Sequence, residues 1–559
     1  MSAPRAFALV TAVVLAVGPL SPATAQAPSR VRFTTPVGES VLVHGEYPPV
    51  SSSCAEPYQP LLHARYRGTI EVSRAEDGSL RLISELSFED YVKGIAEVPR
   101  EWPMAALKAQ VVAARTYALN RYRFAETSGD WDLCATTECQ VYVGMRVEAG
   151  PWGDRWVRAV QETAGQVLLY RGEPAVTYYS STSPGRTFDV EDRFGGEALP
   201  YLRGNDEEDD GASPLSRWRV EVPFEDLARF LEVEGRWPGG PISSAEAGGG
   251  GIRISGRGQA VMSKDDLRDA LNDSASCLAP DRYPTSEPDG YRLPQTVPSV
   301  WYRAHQEGSS LVLEGRGWGH GIGMVQWGAY GKAKRGLPYE DILAAYYGGL
   351  RPQAGDLPGE IRILVAEGLR RVAVVPSSEA ELDPAVDARA PWVITGGRRL
   401  RVRHGPAPGP LLEASGFSAV AEAGIGSPLR ARVELSGDAS ARLEFLRGGQ
   451  AAGTTPWSPF EEGAARLRLP VPPLPPGDYE VRAILHDGVD TIRTDAVPVT
   501  IGAAVSTAPL SPSGTAAAPA PAGEEEGDGR LPVALAAAAV ALVGVVVLTL
   551  RRRKGLHRA

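Results

Sequence analysis

Residues 90–119 read DYVKGIAEVPREWPMAALKAQVVAARTYAL, and the first long helical pattern of the chain lies within this stretch. From Met104 to about Arg123 the sequence has no glycine or proline and is rich in strong helix formers. Pro99 and Pro103 come just before, where the start of a helix tolerates proline. At 100° per residue one apolar stripe is formed by Leu107, Val111, Ala114 and Ala118. We predict a long helix that is half buried and half presented to solvent.

A second motif-rich stretch, residues 315–336, reads GRGWGHGIGMVQWGAYGKAKRG. Between the two stretches lie CATTECQVYVG at 134–144, YYSSTSPGRT at 178–187 and FGGEALPYLRG at 194–204. Together these segments resemble the SpoIID/LytB family, which is the stage II sporulation protein D and amidase-enhancer domain of bacterial cell-wall enzymes. The resemblance covers about residues 65–350 and does not extend into the C-terminal third.

The resemblance implies a catalytic residue. Family members of the sporulation type are lytic transglycosylases that cut peptidoglycan glycan strands with one glutamate placed just before the long helix, and here that residue is Glu97. Many relatives have two further residues between the glycine equivalent to Gly94 and the acid, whereas only Ile95 and Ala96 intervene in this chain. The implied enzyme needs no cofactor.

The chemistry of glycosidic cleavage is compatible with a single carboxyl group at Glu97. Glycoside hydrolases add a second carboxylate, but a lytic transglycosylase does not need one, because the C6 hydroxyl of the sugar attacks C1 and gives a 1,6-anhydro product. The pKa of Glu97 must rise from about 4.3 for the acid to be protonated at neutral pH. Desolvation by Ile95, Val98 and Trp102 favours that rise, and the nearby helix N-terminus opposes it. A solvated loop glutamate is the alternative.

The motifs also supply candidate substrate-binding residues, namely Lys108, Arg115, Ser181, Arg186, Trp318, His320 and Gln326. Tryptophan faces stack on sugar rings and glycines allow close approach of a ligand, so Trp318 and His320 are expected to line a glycan groove. Arg186 is suited to a stem-peptide carboxylate or a sugar oxygen, or to an ordinary surface ion pair. For His320 the alternative is a bond to a buried backbone group, and for Lys108 and Arg115 it is a solvated helix face.

Two other functions compete with catalysis. On the LytB side of the family the chain is a non-catalytic, peptidoglycan-binding enhancer of an N-acetylmuramoyl-L-alanine amidase, and a third interpretation is a surface adhesin. The sequence contains no HExxH zinc helix, no GxSxG nucleophile elbow and no GxxxxGK phosphate loop. The expected partners are therefore peptidoglycan glycan strands and, in the enhancer alternative, a cell-wall amidase.

Composition places the chain among globular proteins of several domains. It has 559 residues, of which 43% are apolar and 23% charged, and this excludes collagen, coiled coil and wholesale disorder. The 58 Lys and Arg against 68 Asp and Glu give a net charge of −10. No basic patch in the sequence is large enough to indicate nucleic acid, so no nucleic-acid partner is expected.

The two ends predict export and a membrane anchor. Residues 1–25 have a lone Arg5, an apolar run and a small-residue cleavage site, which is typical of a secretory signal peptide. Residues 531–550 are uncharged and long enough to cross a bilayer, and the basic residues 551–559 follow. The positive-inside rule then predicts a single-pass protein in the plasma membrane, with its domains facing the cell wall and its C-terminus cytoplasmic.

The four cysteines, in an oxidising compartment, predict disulfides. Three pairings are possible, and Cys134 with Cys139 is favoured because the two are close in sequence, which leaves Cys54 for Cys277. A zinc site is the rival interpretation, but four cysteines without a tight CxxC pair give a weak zinc signal, and we predict no metal site.

The fold class that we predict is α+β: a SpoIID/LytB-like domain with a glycan groove, then a β-sandwich (Ig-like) module and a C-terminal transmembrane helix. Short strand-like runs between Pro and Gly turns indicate the sandwich, and an Ala/Pro/Ser/Gly/Glu-rich segment after it cannot fold. The predicted units are the signal peptide 1–25, an N-terminal extension 26–64, the SpoIID/LytB-like domain 65–350, the β-rich module 360–501, a disordered linker 502–530, the transmembrane helix 531–550 and the cytoplasmic tail 551–559.

Overall fold

The protein is represented by a computed structural model. It describes residues 29–48, 62–124, 129–149, 152–248, 250–283, 285–286, 293–294, 296–378, 380–385, 389–437, 439–460 and 462–502. The predicted signal peptide, transmembrane helix, cytoplasmic tail and all of the predicted linker except residue 502 lie outside these residues. The division of the chain into the predicted domains stays a prediction, and the fold is best followed through its three hydrophobic cores.

The elements of the described residues fall into four consecutive sections. The first contains β1 (Arg30–Thr34), β2 (Val41–Glu46), β3 (His63–Tyr66), β4 (Thr69–Arg74), β5 (Leu80–Ser87), α1 (Phe88–Lys93), α2 (Met104–Phe124), β6 (Leu133–Cys134), α3 (Arg146–Ala149), α4 (Gly153–Glu162), β7 (Gln166–Tyr170), β8 (Glu173–Pro174), β9 (Tyr179–Ser180) and α5 (Val190–Phe194). The second, here called the inserted section, contains β10 (Trp218–Pro223), α6 (Phe224–Val233), β11 (Ile242–Gly248), β12 (Gly251–Gly256), β13 (Gln259–Met262), α7 (Lys264–Leu278), β14 (Thr285–Ser286), β15 (Leu293–Pro294), β16 (Tyr302–Glu307) and β17 (Ser310–Gly315).

The remaining two sections complete the chain. The third contains β18 (Met324–Val325), α8 (Gln326–Lys334), α9 (Tyr339–Tyr346), β19 (Pro352–Ala354), β20 (Glu360–Leu369), β21 (Arg371–Pro376), β22 (Glu381–Asp383), β23 (Trp392–Thr395) and β24 (Arg401–His404). The fourth, here called the C-terminal section, contains β25 (Ala414–Ala419), β26 (Glu422–Gly424), β27 (Pro428–Leu435), β28 (Ala439–Arg447), β29 (Gln450–Thr454), β30 (Ser458–Phe460), β31 (Gly463–Pro470), β32 (Gly477–His486), β33 (Thr491–Arg493) and β34 (Val497–Gly502).

The first core is built by the first and third sections together. A six-stranded sheet has the order β22-β1-β4-β5-β20-β6, and a five-stranded sheet has the order β24-β23-β21-β2-β3. The antiparallel pair β5 and β20 places Leu86 opposite Ile361, and both side chains are buried. Strands from residues 30–46 and from residues 360–404 therefore belong to the sheets that surround the first core.

Helix α2 passes through this core. Its residues from Ala106 to Leu119 are buried on almost every side, and α4, α8 and α9 pack against it. Alanines supply much of its surface, and their small side chains allow neighbouring helices to approach closely. The predicted helix is present, but the prediction that it is half exposed is wrong.

The inserted section has a core of its own. Two three-stranded sheets, β10-β17-β16 and β11-β12-β13, pack with α6 and α7 around the buried side chains of Leu227, Phe230, Ile254 and Leu271. The N-cap of α7 is Ser263, whose side chain accepts a hydrogen bond from the backbone N–H of Asp266. The sequence analysis did not foresee a second core within residues 65–350.

The C-terminal section encloses the third core between two sheets. The smaller sheet has the order β25-β27-β31, and the larger contains β26-β34-β32-β28-β29, with β30 and β33 on its margins. Alternating residues point inward, as in β27, where Leu429, Val433 and Leu435 are buried. The loop after β32 contacts the first core, because Asp490 accepts a hydrogen bond from His63 at 3.2 Å.

Two parts of the predicted fold class are corrected. The α+β class is wrong, since the structure is mostly β, with 40% strand and 20% helix. The excess of strands arises because residues 360–404 extend the sheets of the first core and the inserted section adds three sheets. No helix among the described residues combines the length and apolar composition needed to cross a membrane. The predicted C-terminal transmembrane helix, and with it the membrane partner and the plasma-membrane localisation, is therefore not supported.

Candidate functional site

Glu97 lies in the segment between α1 and α2, and this segment is tied to residues 141–143. The backbone N–H of Ala96 donates to the carbonyl of Val141 at 2.9 Å, and that of Val143 donates to the carbonyl of Gly94 at 3.0 Å. Gly94 lies directly on the ring of Tyr142, where an added Cβ would collide. Glycine is required at this close approach, and the pairing fixes the direction in which Glu97 points.

The carboxyl group of Glu97 is buried, with 1% of the residue exposed. Its Oε1 accepts a hydrogen bond from the backbone N–H of Val141 at 2.8 Å. Its Oε2 has no hydrogen-bond partner among the described residues. Burial raises the pKa of Glu97 well above its usual value, against the opposing effects of the Val141 amide and the Tyr179 hydroxyl. The arrangement favours a protonated carboxylic acid whose second oxygen is uncommitted.

Gln326 joins the second sequence motif to Glu97. Strand β18 pairs in parallel with β9, with Val325 opposite Ser180, and this pairing carries Gln326 at the start of α8 into the core. Its Nε2 donates to the backbone carbonyl of Glu97 at 3.1 Å and to Oε1 of Gln110 at 3.3 Å. Gln326 Oε1 and Gln110 Nε2 have no partner among the described residues. Buried polar atoms in this state keep hydrogen-bonding capacity that a water or a ligand would satisfy.

A second buried network adjoins this one. Tyr179 donates from its hydroxyl to Oε1 of Gln140 at 2.7 Å, and Gln140 donates from Nε2 to the hydroxyl of Tyr91 at 3.0 Å. All three side chains are buried. The sequence analysis missed Gln110, Gln140 and Tyr179. Their positions within the quoted motifs were the only signal available for finding them.

His320 lies close to the same strand but does not line an open groove. Only 2% of it is exposed, and its Nδ1 accepts a hydrogen bond from the backbone N–H of Ile322 at 3.0 Å. The rings of Tyr178 and Phe194 have their centroids 5.9 and 5.2 Å from the imidazole centroid. Burial lowers the pKa of His320 to about 3, so the ring is neutral at physiological pH. The backbone-bonding alternative for His320 matches this geometry.

Trp318 and Ser181 are both enclosed within the part of the chain that the structure describes. Trp318 is 7% exposed, and its strand bridge with Thr182 places it beside Ser181 inside the protein. Ser181 is itself buried, and its hydroxyl contacts that of Thr182 at 3.1 Å. Within the described residues, the structure brings Glu97 and Gln326 into contact but encloses both.

The two α2 residues that were predicted to bind substrate, Lys108 and Arg115, have other partners. Arg115 is completely buried and forms an ion pair with Glu89 at 2.8 Å, with further bonds to the backbone carbonyls of Val160 and Gln166. Lys108 pairs with Glu162 at 2.6 Å. These contacts hold neighbouring elements against the helix, and no contact of either residue with Glu97 is present among the described residues.

The chain is similar to known proteins over about half of its length. A family model described as SpoIID, Stage II sporulation protein, matches residues 76–170. An uncharacterized protein of Brachyspira hyodysenteriae is 33% identical over 273 residues, which are 48% of this chain and 67% of that protein. The chain belongs to the SpoIID/LytB family.

Two named members of the family support a cell-wall-related function. The amidase enhancer of Bacillus subtilis is 28% identical over 46% of this chain and 39% of the enhancer. Stage II sporulation protein D of the same organism is 25% identical over 49% of this chain and 76% of that protein. Because the match to the enhancer spans well under two thirds of its length, the activity of the enhancer as a whole does not transfer directly.

Solved structures add nothing to this assignment. A CARDB domain from Pyrococcus furiosus matches 17% of this chain with 10% identity and a TM-score of 0.12. Dimeric latent PorU from Porphyromonas gingivalis matches 27% of the chain with 12% identity and a TM-score of 0.14. Likenesses at this level carry no argument about the SpoIID/LytB fold.

Some of the predicted site residues lie within the segment that matches the SpoIID model, and others lie outside it. Glu97, Lys108 and Arg115 lie inside residues 76–170, together with Cys134 and Cys139, which form a disulfide with their Cα atoms 5.5 Å apart. Cys277 is also disulfide-bonded, and its expected partner, Cys54, lies outside the described residues. The other candidates, from Ser181 to Gln326, lie beyond the matched segment.

Arg186 is the one predicted substrate-binding residue of this SpoIID/LytB chain that is exposed. Its Nε donates to the backbone carbonyl of Thr187 at 3.3 Å, and its guanidinium lies 5.7 Å from the centre of the Phe188 ring. No ion pair of Arg186 is present among the described residues. Its charge is therefore available to an external anion.

Proposed function

We propose that this protein is a peptidoglycan lytic transglycosylase in which Glu97 acts first as acid and then as base. The observation that supports the proposal is the state of the Glu97 carboxyl group: it is buried, its pKa is raised, and Oε2 has no partner among the described residues. A group that must give up a proton at neutral pH needs such an environment.

The reaction follows from one proton and one sugar hydroxyl. Oε2 of the protonated Glu97 donates its proton to the oxygen that links MurNAc to GlcNAc, and the bond from C1 to that oxygen breaks. The C6 hydroxyl of the same MurNAc bonds to C1, and the Glu97 carboxylate takes up the hydroxyl proton. The products are a 1,6-anhydro end and a free hydroxyl end, and Glu97 is again protonated. No water is consumed and no second carboxylate is required.

The enclosure of Glu97 sets a condition on this mechanism. With 1% of the residue exposed, a sugar reaches Oε2 only after the surrounding segments separate. Two sets of contacts are candidates for this rearrangement. One is the Gln326 bond to the Glu97 carbonyl, and the other is the packing of the Tyr178 and Phe194 rings against His320. We propose that binding of a glycan strand supplies the free energy for this opening.

The same enclosure favours a second candidate function. If the site stays closed, the chain is a non-catalytic peptidoglycan-binding enhancer of a cell-wall amidase, in keeping with the name of its Bacillus subtilis relative. The two functions differ in what the protein releases when it is alone. A transglycosylase produces anhydro ends without help, whereas an enhancer changes only the rate at which an added amidase releases stem peptides.

Digestion of purified glycan strands separates these candidates. The wild-type protein, Glu97→Gln and the control Glu101→Gln, which alters an exposed glutamate on the same segment, are each incubated with and without N-acetylmuramoyl-L-alanine amidase. We expect anhydro-muropeptides from the wild type and from Glu101→Gln without amidase, and none from Glu97→Gln. Absence of anhydro products in every sample, together with faster amidase action, would establish the enhancer function instead.

A further inference from the structure

A second candidate binding site lies at the end of the inserted section that joins the first core. Strands β10 and β16 begin there and β17 ends there, and the three form one sheet. An open groove of about 860 Å³ lies at this end. Its volume is within the range of ligand-binding clefts. It does not include Glu97.

The groove is strongly basic. Its charged lining residues are Arg217, Arg219, Lys264, Arg303, Arg316 and Glu314, so its formal charge is 5 − 1 = +4. The whole chain carries −10, so this surface reverses the sign of the average. A concentration of cations in an otherwise acidic protein attracts anions selectively to that place.

Three of these cations are not neutralised by the protein. Arg219 is held by carboxylates, with Glu307 at 2.8 Å and Glu221 at 3.2 Å. In contrast, Arg217, Arg303 and Arg316 are exposed and form no ion pair with any residue that the structure describes. Guanidinium groups bind carboxylate or phosphate through two parallel hydrogen bonds. The groove therefore presents free sites for anionic groups.

Aromatic side chains between the cations are held rigidly. The rings of Trp218 and Tyr302 lie on either side of Gly315 in the sheet, with their centroids 6.0 Å apart. The Nε1 of Trp218 donates to the carbonyl of Gly317 at 3.0 Å, and the Nζ of Lys264 donates to the carbonyl of Tyr302 at 2.6 Å. The bond of Trp218 fixes its ring in the groove before any ligand arrives, and the face of such a ring binds the apolar side of a sugar.

The groove continues toward the candidate active site. Trp301 stacks on Phe188 with ring centroids 5.0 Å apart and an angle of 5° between the planes. Both rings pack on Gly321, where φ is +68° and an added Cβ would lie 2.7 Å from the Trp301 ring. Gly321 directly follows His320, and Arg186 lies over the other side of this stack at Phe188. A polymer in the groove thus reaches the surface above the buried histidine.

We propose that this groove binds a glycan strand that carries carboxylate groups and holds the strand beside the candidate active site. Free arginines bind the anionic groups, and the tryptophans contact the sugar rings between them. The proposal rests on the cell-wall function that the family implies and not on the chemistry of Glu97. Single-stranded nucleic acid uses a similar combination of cations and aromatic rings, so it is the competitor that a test must include.

Binding of defined polymers to the full chain tests this proposal. The probes are peptidoglycan strands with stem peptides, chitin oligosaccharides, whose N-acetylated sugar rings carry no charge, and oligo(dT), each followed by isothermal titration calorimetry. We expect stem-bearing strands to bind about tenfold or more tightly than chitin oligosaccharides, and salt to weaken the binding.

Variants locate the binding in the groove. The double variant Arg217→Gln with Arg303→Gln should weaken binding of the charged glycan by about tenfold or more. Arg253→Gln, which removes an exposed cation from β12 of the same inserted section but outside the groove, should bind as the wild type does. Glu97→Gln should also bind normally, so a failure of the proposed catalysis leaves this test intact.

Three results would overturn the proposal. Chitin oligosaccharides could bind as tightly as stem-bearing strands, the double variant could bind stem-bearing strands as tightly as Arg253→Gln does, or oligo(dT) could bind more tightly than stem-bearing strands. Circular dichroism of each variant checks that the fold is unchanged by the substitutions, of which the three at arginines lie at exposed positions.

Discussion

Gln326 donates a hydrogen bond from Nε2 to the backbone carbonyl of Glu97 at 3.1 Å, and so connects residues 229 positions apart. The glycine-rich motif at residues 315–336 and the segment before α2 meet through this bond. The second motif thus supports the candidate acid from inside the protein through the side chain of Gln326.

Loss of the Gln326 side chain should destabilise the protein. Gln326→Ala leaves the Glu97 carbonyl and Gln110 Oε1 buried without their donor, which costs about 2 kcal/mol in the free energy of unfolding. Urea denaturation measures the change, and Gln353→Ala, at an exposed position in β19, is the control. A loss no larger than that of the control would mean that the bond contributes nothing.

The stability of the protein should depend on pH through Glu97. Its pKa is raised in the folded state, so the folded protein keeps a proton that the unfolded chain releases above a pKa of about 4.3. Glu97 therefore lowers stability as pH rises above that value. Glu97→Gln removes this loss. The unfolding free energy of the variant, relative to that of the wild type, should therefore rise by up to about 1.4 kcal/mol for each pH unit between the unfolded and the folded pKa of Glu97.

Urea denaturation at pH 4, 5.5 and 7 checks the pH dependence. At pH 4 the two proteins should differ only by the direct effect of the substitution, and the gap should widen toward pH 7. Glu101→Gln should show no widening. A gap between Glu97→Gln and the wild type that stays constant across the three pH values would mean that Glu97 is ionised in the folded protein.

Arg115 should contribute mainly to the stability of the protein. Arg115→Met leaves Glu89 and the carbonyls of Val160 and Gln166 without a donor, which costs about 3 kcal/mol in the free energy of unfolding. Lys108→Met, whose partner Glu162 is more exposed, should have a much smaller effect. Thermal denaturation compares them, and equal melting temperatures for the two variants would refute the structural role of Arg115.

Asp490 should hold the C-terminal section against the first core. Its Oδ1 pairs with His63, and its Oδ2 accepts a hydrogen bond from the backbone N–H of Leu411 at 2.6 Å. Asp490→Ala removes both contacts, so hydrogen exchange should become faster at residues 405–413, which connect the two sections. Asp478→Ala, on an exposed part of β32, is the matched control. Unchanged exchange at residues 405–413 would show that other contacts fix the section.

The sequence predicted α2 and the position of the candidate acid for separate reasons. Helix α2 was predictable because a run without glycine or proline leaves few alternatives to a helix. The position of Glu97 came from the family resemblance. Its burial was not predictable, because the atoms that enclose it come from Val141, Tyr179 and Gln326, which are far away in sequence.

The errors have a similar origin. The α+β class failed because strands of residues 360–404 return to the sheets of the first core, which depends on long-range pairing such as Val43 with Val374. Trp318 and His320 were expected to line a groove because tryptophan faces stack on sugar rings and the surrounding glycines allow close approach of a ligand. The bridge from Trp318 to Thr182 instead places this part of the motif inside the protein. The basic groove escaped notice because its cations come from separate strand ends and form no cluster in the sequence.

The most direct test of the central claim is a mass-spectrometric count of 1,6-anhydro ends formed on stem-free and stem-bearing glycan strands by equal amounts of wild type and Glu97→Gln. If the buried, protonated Glu97 cleaves the strand, the wild type generates anhydro ends that increase with time and Glu97→Gln generates none above background. Equal numbers of anhydro ends from the two proteins would contradict the assignment of Glu97 as the acid and base.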